Sequence, residues 1–158
     1  MNYIILLNII NHIPYLYLFI IRSVLFKSYG NGDRSFYYEK NLLKILYDEY
    51  IINKYVKHIT KFNNILVKPY IMYYYQLLEG FFHTIIVFFG ILYIINDNLY
   101  IKKIFEIGLY GEIIIMDSIY FICFSYIHIK APNDLKNISY LTTLVHHITI
   151  IPNLIYLL

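Results

Sequence analysis

His146 and His147 stand side by side within residues 138–158, a stretch of 21 residues that holds no Lys, Arg, Asp or Glu. An imidazole exchanges its proton near neutral pH, so the pair is the first candidate for general acid–base chemistry. Imidazoles are costly in hydrocarbon, so two of them imply a protein-lined cavity, a partner or a ligand. Each ring can equally serve as polar glue, hydrogen-bonded to a neighbouring helix. The second candidate is Asp117, on an apolar stretch that also carries Glu106 and Glu112. Glu106 and Asp117 are eleven residues apart, close to three full helical turns, so they are expected to share a face while Glu112 points elsewhere. Carboxylates inside a membrane turn toward cavities, although Glu106 would fall at the headgroups if the span began near Leu109. Asp117 is the group expected to orient or charge-stabilise a histidine. His83, alone on its stretch, reads as structural, and His12 and His128 read as interfacial residues near helix ends.

Other chemistries find little footing. The sequence has no Gly-rich phosphate loop, no G-x-S-x-G elbow and no HExxH. Di-iron membrane enzymes need clustered histidine boxes such as HxxxH and HxxHH, and only a bare HH is present, so no metal centre is expected. Haem ligation by His83 with His146 or His147 is geometrically open but has no flanking signature. The single Cys123 lies in an apolar run, which excludes an internal disulfide and reads as an inert buried thiol.

The elements that must position these residues are apolar helices. The chain is 59% hydrophobic with a mean hydropathy of +0.56, above the roughly 45–50% of an ordinary soluble domain. The expected fold is all-α: an integral membrane protein with about four transmembrane helices, near residues 3–21, 71–96, 104–129 and 138–158. Between the first two lies a basic segment. Eight of the thirteen Lys and Arg residues fall between Lys27 and Lys68. Gly30-Asn31-Gly32-Asp33 reads as a turn, and Leu42, Ile45, Leu46, Ile52, Val56 and Ile59 then recur at helical spacing. This amphipathic segment either lies along an anionic membrane surface or packs on the bundle. Its charge predicts a first loop on the cytoplasmic or matrix side. Three regions result: an N-terminal membrane helix at 1–26, a basic segment at 27–70 and a three-helix membrane region at 71–158. A net charge of +3 gives no support to nucleic-acid binding. The N-terminal stretch lacks a cleavage pattern and reads as an uncleaved anchor. The apolar run that ends at Leu158 is expected either to be capped by partners or to continue in a longer protein. Abundant Ile, Asn, Lys and Tyr beside a single Ala131 reflect A/T-rich codons, so many apolar choices carry little functional information.

Taken in order, the polar residues of the last three stretches form a pattern: QLLEGFFHTIIVFFGILYII with His83, GEIIIMDSIYF with Asp117, and YLTTLVHHITII with His146 and His147. Over about residues 70–158 this resembles the N-terminal part of the TLC-domain family, membrane proteins that include the ceramide synthases. The resemblance implies a role in membrane lipid synthesis or regulation in the endoplasmic reticulum, with membrane lipids as partners. It also implies His146, His147 and Asp117 in a central cavity, N-acyl transfer to a sphingoid base, acyl-CoA as co-substrate and no bound cofactor. Two alternatives stand beside it. One is a non-catalytic hydrophobic subunit of a mitochondrial inner-membrane or other organellar complex, partnered by other membrane subunits. The other is a small transporter component with Glu112 and Asp117 along its path.

Overall fold

The computed structural model describes residues 2–25, 43–66 and 69–158, and among them every element is helical. Helix α1 spans Asn2–Leu25 and runs through Pro14. Helix α2 spans Glu49–Leu66 and α3 spans Pro69–Asn96. The next helical rod is built of α4 (Leu99–Gly111), a π-helical turn (Glu112–Asp117) and α5 (Ser118–Ile129). A 3₁₀ turn, Asn133–Leu135, leads into α6 (Lys136–Leu157). The Gly30–Asp33 turn, Leu42 and the basic residues Lys27, Arg34, Lys40 and Lys68 lie outside the described residues.

Two stretches, Leu77–Asn96 and Leu99–Ile129, are long and apolar enough to cross a membrane, and Tyr3–Leu16 is a shorter apolar helix. Their outward faces are apolar. Phe81, Phe88 and Ile95 recur every seven residues along α3, all exposed, and Ile107, Ile114, Ile122 and Ile129 are exposed along the following rod at steps of seven, eight and seven, the longer step crossing the π turn. The polar side chains point the other way: Asn8, His12, His83, Glu112, Asp117, Ser139, Thr142 and Asn153 are all buried. This inverts the soluble pattern, in which charged side chains cover the surface.

Two residues reverse the chain between α3 and α4. Asp97 adopts φ 44°, a left-handed conformation that Asp tolerates better than most residues. The Asn98 side chain accepts a hydrogen bond from the Tyr100 backbone N–H at 2.8 Å and caps α4. The two helices then pack closely. At Gly108 a Cβ would lie 2.7 Å from Ile85 Cγ2, and at Gly111 it would run into the Phe82 ring. Small residues here permit a close approach of the two helix backbones.

Two apolar clusters result. One joins α1, α3 and α4 through Ile5, Ile9, Ile86, Val87, Phe105 and Leu109. The other seats α2 on the end of the bundle through Ile52, Tyr55, Val56 and Ile59, against Ile127, Leu135 and Ile138. Of the two placements open to the amphipathic segment, α2 therefore adopts packing on the bundle, with Lys54, Lys57 and Lys61 left exposed. Lys54 pairs with Asp134 ahead of α6, and Lys44 with Glu49 at 3.0 Å. Ile45 and Leu46, read as part of the same apolar face, fall in the turn before α2 and are exposed.

Two outcomes are expected from this packing. Gly108→Val overpacks the α3–α4 contact and should lower stability by about 1–3 kcal/mol, whereas the outward Ile107→Val should stay within about 0.5 kcal/mol; thermal unfolding in detergent measures both. The second concerns His58, whose Nε2 lies 3.5 Å from the Ile127 carbonyl between α2 and α5. Burial chiefly holds its pKa below the ordinary value, and Lys61 adds to this. The unfolded chain thus binds the proton more readily than the folded one. The contribution is complete above the ordinary value of 6.5 and is lost as pH falls through the lower folded value. Proteolysis within α2 should therefore accelerate between about pH 7 and about pH 5, and His58→Gln should flatten that dependence.

Candidate functional site

Five elements converge on a cavity of about 30 Å³ in the middle of the bundle. Helix α1 contributes His12 and Tyr15, α3 contributes Tyr75, Glu79 and His83, and the π turn contributes Glu112, Met116 and Asp117. Tyr120 of α5 and Ile150 and Asn153 of α6 complete the wall. Three carboxyl groups and two imidazoles meet there without a Lys or Arg among the described lining residues. Space of this size holds one or two waters or a single ion.

The π turn explains why both carboxylates arrive. Five residues of α-helix turn through about 500°, which would leave positions 112 and 117 about 140° apart. A π turn closes its hydrogen bonds over five residues and brings them to one side. Glu112 and Asp117 are 7% and 9% exposed as a result. Side chains take up the carbonyls around this irregularity: Tyr75 Oη donates to Met116 O at 3.2 Å, and Ser118 Oγ donates to Ile113 O at 3.3 Å. The expected pairing of Glu106 with Asp117 is thereby corrected. The inserted register takes Glu106 away from the cavity, where it pairs with Lys102 at 3.5 Å and accepts from Tyr156 Oη at 3.5 Å. Glu112, expected to point elsewhere, is the one turned inward.

His83 is the hub. Its Nε2 lies 3.7 Å from Glu112 Oε1 and 3.9 Å from Glu79 Oε1, one turn earlier on α3. Its ring stacks on Tyr15 at 5.0 Å and tilts against His12 at 5.2 Å between centroids. Neither ring nitrogen has a hydrogen-bond partner, although the side chain is buried. Glu112 Oε2, Asp117 Oδ2 and Asn153 Oδ1 are likewise buried without a partner. Buried polar atoms are seldom left so, and a concentration of them around one cavity marks a place built for an occupant.

His12 is not interfacial. It sits in mid-helix, 4% exposed, because α1 continues about three turns beyond Pro14 before the described segment ends at Leu25. Its Nδ1 is 2.6 Å from the Asn8 carbonyl. A carbonyl only accepts, so Nδ1 carries the hydrogen and Nε2 presents a lone pair inward, 3.5 Å from Asn153 Nδ2. Asn8 in turn donates to the Ile4 carbonyl at 2.9 Å and to the Pro152 carbonyl at 3.1 Å, tying α1 to α6.

Of the residues singled out from the sequence, Asp117 lies in the cavity and His147 does not. His147 is exposed on α6, its Nδ1 donating to the Thr143 carbonyl at 2.7 Å and its ring 4.4 Å from Phe121. The side chain of His146 lies outside the described residues. The structure therefore brings Asp117 to His83, Glu112 and His12. His128, expected near a helix end, is found there, with its ring 3.8 Å from Tyr140.

If His83 and Glu112 act as a pair, leucine at either position strands its partner in the interior, and the double substitution should cost less than the two single costs combined. Thermal unfolding of the four proteins should give a coupling of about 1–3 kcal/mol; strict additivity would show that the two side chains are independent.

Comparison of the chain with protein-family models, with curated proteins and with solved structures returns no match. What the chain does is read from its own residues.

Proposed function

We propose that the chain is a multipass membrane protein, with α1, α3, α4–α5 and α6 as its four spans, that acts on membrane lipids through the buried imidazole–carboxylate cluster. The endoplasmic reticulum is the membrane that fits the resemblance to TLC domains. The observation that carries this reading is the cluster itself. His83, Asp117 and Glu112 are buried around one cavity with ring and carboxyl atoms left for an occupant, inside a bundle whose outward faces are apolar.

The chemistry follows from the arrangement. His83 can accept a proton from an attacking amine and return it to the leaving thiolate, while Glu112 and Asp117 stabilise the imidazolium formed in between. In an N-acyl transfer the amine nitrogen bonds to the acyl carbonyl carbon and the carbon–sulfur bond of the acyl-CoA breaks. The cavity holds little more than a water or an ion, so the amine and the thioester would meet at its edge and the acyl chains would run along the apolar outer faces. His147, exposed on α6 outside the cavity, would position the lipid or its acyl donor in this scheme.

The test is lipid turnover by the full chain in vesicles, together with lipid profiles of cells that lack it. Depletion should shift the ceramide or acyl-chain profile, and wild-type protein should restore it. Asp117→Asn and His83→Gln should lower turnover by about 100-fold or more, the usual scale of a lost acid–base group. An unchanged lipid profile, with co-migration in a large organellar complex on a native gel, would replace the enzyme with a non-catalytic subunit.

A further inference from the structure

We propose that His12, His83 and Glu112 form a binding site for one divalent transition-metal ion of the zinc class. The site rests on the cluster described above and gives it an occupant; with the ion bound, His83 and Glu112 serve as ligands, and Asp117 takes the proton role that His83 holds in the ion-free cluster.

The geometry comes first. One ligating atom from each of the three side chains lies within 4.8 Å of the other two, and all three residues are buried. Around a tetrahedral zinc with ligands at about 2.0–2.2 Å, neighbouring donor atoms sit about 3.3 Å apart. Closing the set around an ion therefore asks the three side chains to draw their donor atoms from within 4.8 Å to about that spacing.

Satisfaction of the donors points the same way. The hydrogen on His12 Nδ1 is committed to the Asn8 carbonyl at 2.6 Å, which leaves Nε2 as a lone-pair donor aimed inward. A ligating histidine is usually held in this manner, its second nitrogen donating to a backbone carbonyl that fixes tautomer and ring orientation. His83 has no hydrogen bond at either nitrogen, and Glu112 Oε2 has none either. An ion would satisfy two groups that the protein itself leaves open and would take up the His12 lone pair in place of its long 3.5 Å contact with Asn153 Nδ2.

Charge and donor type select the ion. Glu79, Glu112 and Asp117 face the cavity with no Lys or Arg among the described lining residues. A dication would offset two negative charges in surroundings where bare carboxylates are costly. Two imidazoles and a carboxylate suit zinc and its first-row neighbours, whereas calcium and magnesium require oxygen donors and more of them. Three protein ligands leave a fourth position open, and Asp117 Oδ2, buried without a partner, lies in the same cavity for a water or a substrate atom bound there.

The experiment uses the full chain in detergent, stripped with EDTA and titrated with Co²⁺ as a spectroscopic probe. Expected are visible absorption bands of a four-coordinate ion saturating at one Co²⁺ per chain, and their loss when Zn²⁺ is added. His83→Ala and Glu112→Gln should each weaken binding at least about tenfold, while His128→Gln, outside the cavity, should leave it unchanged. Circular dichroism reports whether each variant keeps its helices. Should the variants unfold, X-ray absorption at the zinc edge of the loaded wild-type protein decides, and two imidazole nitrogens in the first shell are expected. A protein that retains no ion, a first shell without imidazole, or folded variants that bind as well as wild type would each overturn the site. Lipid turnover that persists with EDTA and no bound ion would remove the metal and leave the enzyme. Stoichiometric metal without lipid turnover would leave the site and remove the enzyme.

Discussion

The cost of holding carboxylates and imidazoles away from water governs this structure. His83 and Glu112 stand 3.7 Å apart, both buried, in an interior bordered by apolar packing. Each is tolerable only because the other is present, since removing one partner of a buried pair strands the remaining charge. The elements around them can be understood as the means of keeping that pair assembled. Helix α3 supplies His83 and Glu79 on successive turns, the rod after it supplies the two carboxylates, and α1 supplies His12 over the top.

Bringing these groups together requires departures from regular helix. The π turn at Glu112–Asp117 surrenders regular hydrogen bonding so that two carboxylates five residues apart share a side. Glycines at 108 and 111 let α4 approach α3 closely enough for Glu112 to reach His83. Asn8 crosses from α1 to the Pro152 carbonyl on α6, where the proline has already interrupted the helix ladder. These features cluster around the cavity, whereas the outward face of α3 repeats with plain heptad-like spacing.

The two apolar clusters flank the polar cavity along the bundle and hold it rigid. The cluster of Ile5, Ile9, Ile86 and Phe105 locks α1 to α3 and α4 on one side. On the other, α2 seals the end of the bundle with Ile52, Tyr55 and Ile59 and keeps its lysines outward. A cavity pre-formed between two packed layers needs little reorganisation when an occupant arrives, and fixed donors are worth most under that condition.

The sequence by itself determined the helical class, two of the four expected long apolar stretches and the presence of an amphipathic helix within the basic segment 27–70, because all three follow from local composition and from periodicity along one helix. It also marked Asp117, since an acid within an apolar stretch stands out wherever it falls. The choice of partner for Asp117 was decided only by tertiary structure. Periodicity assumes a regular α-helix, so it coupled Asp117 to Glu106, and the π turn replaced Glu106 with Glu112. His12, His83 and Glu112 lie 71 and 29 residues apart on three separate elements, a spacing that no linear motif describes. The adjacent histidines at 146 and 147 attract notice in the sequence because they are neighbours. Neighbours on a helix diverge by about 100°, whereas the groups that converge here come from helices folded against one another.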